Sequence, residues 1–245
     1  MRQVQALDVP VCCVCGDLLV PALSGDNRVC PGCAQDEPPY RRALAFGSYQ
    51  GVLRELIHLL KYHRVRAVAA LLGRWLSEIV AAQLAPEDLH SMVVVPVPLH
   101  PAKQRQRGFN QAELLAQAIV KRLRSEGVRE ARILRRRRPT MSQTGLTREQ
   151  RGLNVRGAFA AESARRVAGR NVLLVDDVLT TGATIFECSR VLLRAGATGI
   201  WVATVARVLA PGQRRPDEMV IPSREAAVRF EKGGGIAPGR WAAEA

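Results

Sequence analysis

The sequence predicts an α/β fold built on a parallel sheet, preceded by a small cysteine-bearing module. Three observations carry that prediction. From residue 91 onward, apolar β-branched runs alternate with amphipathic helical patterns. The links between them are short, as strand–helix–strand units with right-handed crossovers require. Five of the six cysteines crowd into residues 12–33.

The chain has 245 residues, enough for one ordinary α/β domain and an appendage. Apolar residues make up 47% and aromatics only 4%, so the expected core is aliphatic. No apolar run approaches the ~18 residues of a membrane span, and residues 1–10 lack the charged-then-apolar pattern of an export signal. The expectation is a cytoplasmic protein.

Residues 1–40 form the first predicted unit. Cys12 and Cys15, then fourteen residues, then Cys30 and Cys33 make paired C-x₂-C turns, the spacing of a zinc ribbon. Four thiolates fill a tetrahedral ion and leave no open position, so the predicted role of zinc is structural. Cys13 could compete with Cys12, but its spacing to Cys15 is poorer. Cys188 falls on the buried side of a later helix and reads as a small core residue.

Residues 41–90 read as a helical connecting segment. Leu53, Leu56, Ile57 and Leu60 repeat at helical spacing, and Val68, Leu71, Leu72, Trp75, Leu76 and Ile79 do the same. Residues 91–208 are the predicted α/β domain. Strands are expected at 92–97, 133–134, 171–175 and 199–206, and helices at 111–126 and 183–195, closed by Gly127 and Gly196. Residues 209–245, rich in Pro and Gly without periodicity, predict a largely disordered tail.

The net charge of +14 is concentrated. Residues 101–170 hold 18 basic and 5 acidic side chains, a balance of +13, which marks a surface for a polyanion. Single-stranded DNA fits that description, and so does one highly anionic small ligand.

The chemistry sits at 172–184, V-L-L-V-D-D-V-L-T-T-G-A-T. A buried strand delivers Asp176 and Asp177 at its carboxyl end, where open parallel sheets bind ligands. Thr180, Thr181, Gly182, Ala183 and Thr184 then lead into a helix whose first N–H groups suit a phosphate. Two carboxylates beside a phosphate need partners of their own, and sugar hydroxyls and Mg²⁺ are the natural ones.

These residues resemble the signature of type I phosphoribosyltransferases. The resemblance implies that fold, with Asp176 and Asp177 on the ribose hydroxyls of phosphoribosyl pyrophosphate, directly or through Mg²⁺, and 180–184 on its 5′-phosphate. Upstream, V-V-P-V-P-L at 94–99, R-G-F-N-Q-A-E-L-L-A at 107–116, T-M-S-Q-T-G-L at 140–146 and R-G-L-N-V-R-G-A-F at 151–159 resemble the ComF family of competence-associated phosphoribosyltransferase-like proteins. With the cysteine module the resemblance covers about residues 12–207. It implies a pyrophosphate loop carrying Pro98, Leu99, His100, Arg105 and Arg107. It also implies a mobile lid from which Gln143, Arg148 and Arg151 reach the ligand, and a role in DNA uptake among competence proteins. Asn110 reads more simply as a helix N-cap.

Two classes of function fit these residues. One is an enzyme that transfers phosphoribosyl to an acceptor, with arginines and Mg²⁺ stabilising the departing pyrophosphate. The other is a protein that senses phosphoribosyl pyrophosphate or binds single-stranded DNA without turnover.

Overall fold

The structure, a computed structural model, describes residues 11–19, 28–138 and 148–209. The short helix α1 (Pro31–Gln35) belongs to the cysteine module. After it come β1 (Arg42–Ser48), α2 (Gly51–Tyr62), α3 (Ala67–Gln83) and the one-turn α4 (Pro86–Leu89). Next are β2 (Val93–Pro96), α5 (Pro101–Arg107), α6 (Gln111–Arg122), β3 (Arg129–Glu130) and β4 (Leu134–Arg136). The chain continues through α7 (Arg148–Val155), β5 (Phe159–Ala161), β6 (Asn171–Leu179), α8 (Ala183–Arg194) and β7 (Gly199–Arg207).

Five strands form one parallel sheet in the order β1-β7-β6-β2-β3. Its central strands carry continuous apolar runs, 93–95 in β2, 172–175 in β6 and 200–203 in β7, because both faces are covered there. Leu173, Val175 and Val94 pack under α2, α3 and α6 with Ile57, Leu72 and Leu115. Their neighbours Val172, Leu174 and Val95 face the other way, into a cluster with Phe159, Ile185 and Leu192. The switch at every residue is the pleat at work. Each such side chain contributes roughly 1.5–3 kcal/mol on burial. Phe46 and Trp75 stack with ring centroids 4.7 Å apart, and Gly73 lets α3 approach Ala118 more closely than a side chain would permit.

Four sequence expectations need correction. Residues 41–90 are not purely helical, since β1 adds a parallel edge strand beside β7. Its small, weakly β-forming residues Ala43 and Ala45 disguise it. The strand expected at 133–134 is β4, which leaves the main sheet and pairs antiparallel with β5. The partner of β2 is instead β3, two polar residues whose sequence carries no strand signal. Within the basic stretch read as loop, α5 forms, with Pro101 opening it, His100 Nδ1 accepting from Ala102 N at 3.3 Å, and Gly108 closing it at φ 83°. The segment implied as a lid also carries regular structure, because α7 forms at its end and packs on α8. The predicted tail lies outside the described residues from 210 onward.

Candidate functional site

Strand β6 runs past Val175 to Leu179, so Asp176 and Asp177 lie within its last turns of pleat rather than beyond it. Being adjacent, they leave the sheet on opposite faces. Asp177 turns toward α2, where Lys61 Nζ stands 2.9 Å from its Oδ1. Both side chains are mostly buried, with 18% of Lys61 and 11% of Asp177 exposed. Asp176 turns to the α8 side, and its Oδ1 accepts the backbone N–H of Asp177 at 2.8 Å. Burial, then the charge of Asp177, pushes its carboxyl up to about 7 against the pull of Lys61 and Arg136. For Lys61, burial works against the charge, but Asp177, with Asp176 and Tyr49 behind it, holds the ammonium above its ordinary value.

After Leu179 the chain turns through 180–182 into α8. Gly182 takes the left-handed φ of 82° at the helix N-cap, and no side chain caps the first turn. Thr181 Oγ1 is buried and makes no hydrogen bond. A helix N-terminus without a side-chain cap beside a buried, unpartnered hydroxyl is a cradle of donors for an anion.

Cations converge on the same place from three separate segments. Lys61 ends α2, Lys103 and Arg107 stand on α5, and Arg136 on β4. The charge on Lys103 is depressed by burial first, then by Arg136, Arg107 and Lys61. Arg107 lies over the Tyr62 ring at 5.7 Å, and Arg136 over Phe159 at 5.4 Å. For Arg136, burial lowers the charge while Cys188 and Asp176 oppose it.

Of the expected site residues, the structure brings Arg107 to this cluster and leaves Arg105 exposed. Pro98, Leu99 and His100 form the partly buried turn before α5, where His100 serves as the cap. Asn110 is a cap too, accepting from Ala112 N at 3.0 Å and donating to Val97 O at 2.9 Å. Gln143 lies outside the described residues, as do the side chains of Arg148 and Arg151 on α7. Among the run at 135–138, Arg135 is exposed and pairs with Glu162, and Arg138 donates to Arg156 O.

Sequence reasoning missed Lys61, and it reads Arg136 only as one of the run of four arginines at 135–138. Lys61 had a legible signal: it falls at i+4 from Ile57 on the apolar stripe of its helix, where a charge needs a buried partner. Arg136 had none, since nothing in a row of four arginines says which one turns inward.

The thiol sulfurs of Cys12, Cys15, Cys30 and Cys33 all lie within 4.8 Å of one another. Cys15 and Cys30 sulfurs are 3.7 Å apart, close to the edge of about 3.8 Å expected for a tetrahedron with Zn–S near 2.3 Å. All four are free thiols, and Cys13 stands outside the cluster. The cluster therefore fits a structural zinc ion. Arg207, the last residue of β7, donates to Cys15 O at 2.8 Å, approaches its Sγ at 3.7 Å, and pairs with Asp17 at 3.1 Å. Ala43 N donates to Val14 O at 2.7 Å, fixing the module to the β1 edge. No helix among the described residues is long and apolar enough to cross a membrane.

Residues 107–230 match the family model of the phosphoribosyl transferase domain. DNA utilization protein YhgH of Escherichia coli (strain K12) is 35% identical over 203 residues, 82% of this chain and 86% of that protein. Competence protein F of Haemophilus influenzae is 32% identical over 84% of this chain and 88% of its own length. Competence protein ComFC of Bacillus subtilis is 26% identical over 76% and 72%.

Proposed function

The chain belongs to the ComF family of phosphoribosyl transferase domain proteins, and from that membership we propose that it binds phosphoribosyl pyrophosphate at the carboxyl end of β6. The 5′-phosphate sits on Thr180, Thr181, Gly182, Ala183 and Thr184, and the ribose hydroxyls face the acid pair. The diphosphate lies toward Arg107, Lys103 and Arg136. When bound, Mg²⁺ supplies charge neutralisation for the departing diphosphate. The observation that carries the reading is the pairing of an uncapped α8 N-terminus with the buried, unpartnered hydroxyl of Thr181.

Thr181→Val tests it, because the change keeps volume and removes only the hydroxyl. Affinity for phosphoribosyl pyrophosphate in calorimetry should fall about tenfold or more, the scale of a hydrogen bond to a charged group. The melting temperature should hold or rise, since a buried hydroxyl without a partner is gone. Unchanged affinity would put the ligand elsewhere. Pyrophosphate release across a panel of acceptors separates an enzyme from a sensor.

The relatives' names add a role in DNA uptake or use, which we extend to this chain together with competence proteins as partners. Single-stranded DNA is the proposed macromolecular ligand, favoured by the +13 balance of residues 101–170. Its binding should weaken steeply with salt, by a logarithmic slope of roughly −0.7 for each phosphate contact.

A further inference from the structure

Two neighbouring carboxylates at a sugar-phosphate site invite a divalent cation, yet the geometry here does not suit one. Mg²⁺ demands near-octahedral oxygen ligands at about 2.0–2.1 Å. Asp176 and Asp177 project from opposite faces of an extended strand, so they do not converge on one ion. Asp176 Oδ1 is turned back to the backbone N–H of Asp177 at 2.8 Å. Asp177 Oδ1 already meets the Lys61 ammonium at 2.9 Å. Only 18% of the Lys61 side chain is exposed, and the helix end that carries it is anchored by the fully buried Leu60 and Ile57. A dication placed at Asp177 would stand against that ammonium.

We propose that Lys61 takes the place of a divalent cation at the acid pair. It neutralises Asp177 from α2, orients the carboxylate, and leaves Oδ2 to accept a hydroxyl. Its remaining N–H donors face the ligand's oxygens. Mg²⁺ then enters only on the ligand's own diphosphate and is not held by Asp176 or Asp177. The identity of the ligand rests on the sugar-phosphate reading above, but the absence of a metal at the acids does not.

Mn²⁺ alone is the probe for that absence. Electron paramagnetic resonance of the zinc-loaded full chain should show no bound Mn²⁺ that Asp177→Asn removes. With the ammonium gone, Asp177 alone can hold an ion through one carboxylate and water, so Lys61→Met should gain one weakly bound Mn²⁺, and Lys61→Met with Asp177→Asn should lose it again. Lys61→Arg keeps the charge and should behave as the parent, which controls for folding damage. A parent site for Mn²⁺ that Asp177→Asn abolishes overturns the proposal, and so does a Lys61→Met protein that gains none.

A second arm uses phosphoribosyl pyrophosphate in calorimetry on the zinc-loaded chain, without added divalent cation or with Mg²⁺. Parent affinity should differ less than tenfold between the two. Lys61→Met should lose tenfold or more without Mg²⁺ and recover most of it with Mg²⁺, because the bare carboxylate becomes a metal ligand. Equal behaviour of parent and Lys61→Met overturns the proposal. Failure of the sugar phosphate to bind any protein overturns the ligand assignment instead, while the Mn²⁺ result still decides the role of Lys61.

Discussion

The cysteine module and the threonine cradle touch the same pair of strand ends. Arg207 closes β7 and reaches Cys15, and its register partner Leu179 leads directly into Thr180. Each region gathers side chains of metal-binding type, yet they solve their charge problem in opposite ways. The four cysteines come from a short stretch and converge on one point within 4.8 Å. The two aspartates are adjacent in sequence and diverge across the sheet, each meeting cations from elsewhere in the chain. Proximity in sequence is therefore a poor guide to shared ligation on a strand. On paired C-x₂-C turns it is a good one, because each turn folds its two sulfurs to the same side.

The largest expected effect breaks the first half of this comparison. Cys33→Ser removes one of four ligands, and Cys33 is buried in a small cluster with little else to hold it. Structural zinc in such modules contributes on the order of 10 kcal/mol to folding. Elemental analysis of Cys33→Ser should show zinc lost, and proteolysis should cut the module while the parent resists. Full zinc content in the variant would mean that the ligand set is different, with Cys13 the first suspect.

How much was legible in the sequence follows the same divide. The cysteine set, β6, α8, β7 and the turn at 180–182 that opens α8 were readable because each is a contiguous pattern whose meaning is local. Strand β1 was not, because Ala43 and Ala45 are in the sheet only by virtue of β7 beside them. Strand β3 was not, because an edge of two polar residues is defined by its partner alone. The cation cluster was half readable. Arg107 opens a recognisable motif, whereas Lys61 and Arg136 join the site through tertiary packing over 116 and 41 residues from Asp177, by their numbering.

The second prediction concerns Asp176, whose carboxyl is raised from 3.8 to about 7. Between those values the unfolded chain has released a proton that the folded chain keeps. Stability therefore falls as pH rises through that window, and the cost is complete above about pH 7. Asp176→Asn should remove it. The gain in unfolding free energy should be greatest near pH 8, with a ceiling of about 4 kcal/mol, and should vanish below about pH 4. Denaturant melts at the two pH values measure it. A variant less stable than the parent at pH 8 would mean that Arg136 and Lys61 more than offset the burial of that charge.

A third, smaller effect sharpens the contact between the regions. Arg207 is a positioning residue for the metal: it touches the sulfur and carbonyl of Cys15 rather than the ion. Arg207→Met keeps the packing of the stem and removes these bonds and the pair with Asp17. Outer-shell losses of this type cost roughly 10–100-fold in metal affinity. Competition with a chromophoric chelator should show zinc held that much more weakly, with four-sulfur coordination retained in X-ray absorption. Unaltered zinc affinity would make Arg207 a plain link between module and sheet.

The smallest effect expected on the fold separates the arginines of the basic run. Arg135 is two-thirds exposed and its pair with Glu162 lies in solvent, at 66% and 55% exposure. Such pairs are worth about 0–1 kcal/mol, so Arg135→Ser should barely shift the melting curve. It should also leave phosphoribosyl pyrophosphate affinity alone, because the side chain turns away from the acids. Arg136→Ser removes a cation beside Asp176 and should weaken that ligand severalfold or more. On single-stranded DNA the order should reverse if the outer surface carries the strand. Arg135→Ser then reduces the logarithmic salt slope by about 0.7, the value of one phosphate contact. Fluorescence anisotropy with an oligothymidine over a range of salt reads the slope directly. An unchanged slope for Arg135→Ser, with a reduced one for Arg136→Ser, would place DNA in the same cleft as the small ligand. The two would then compete.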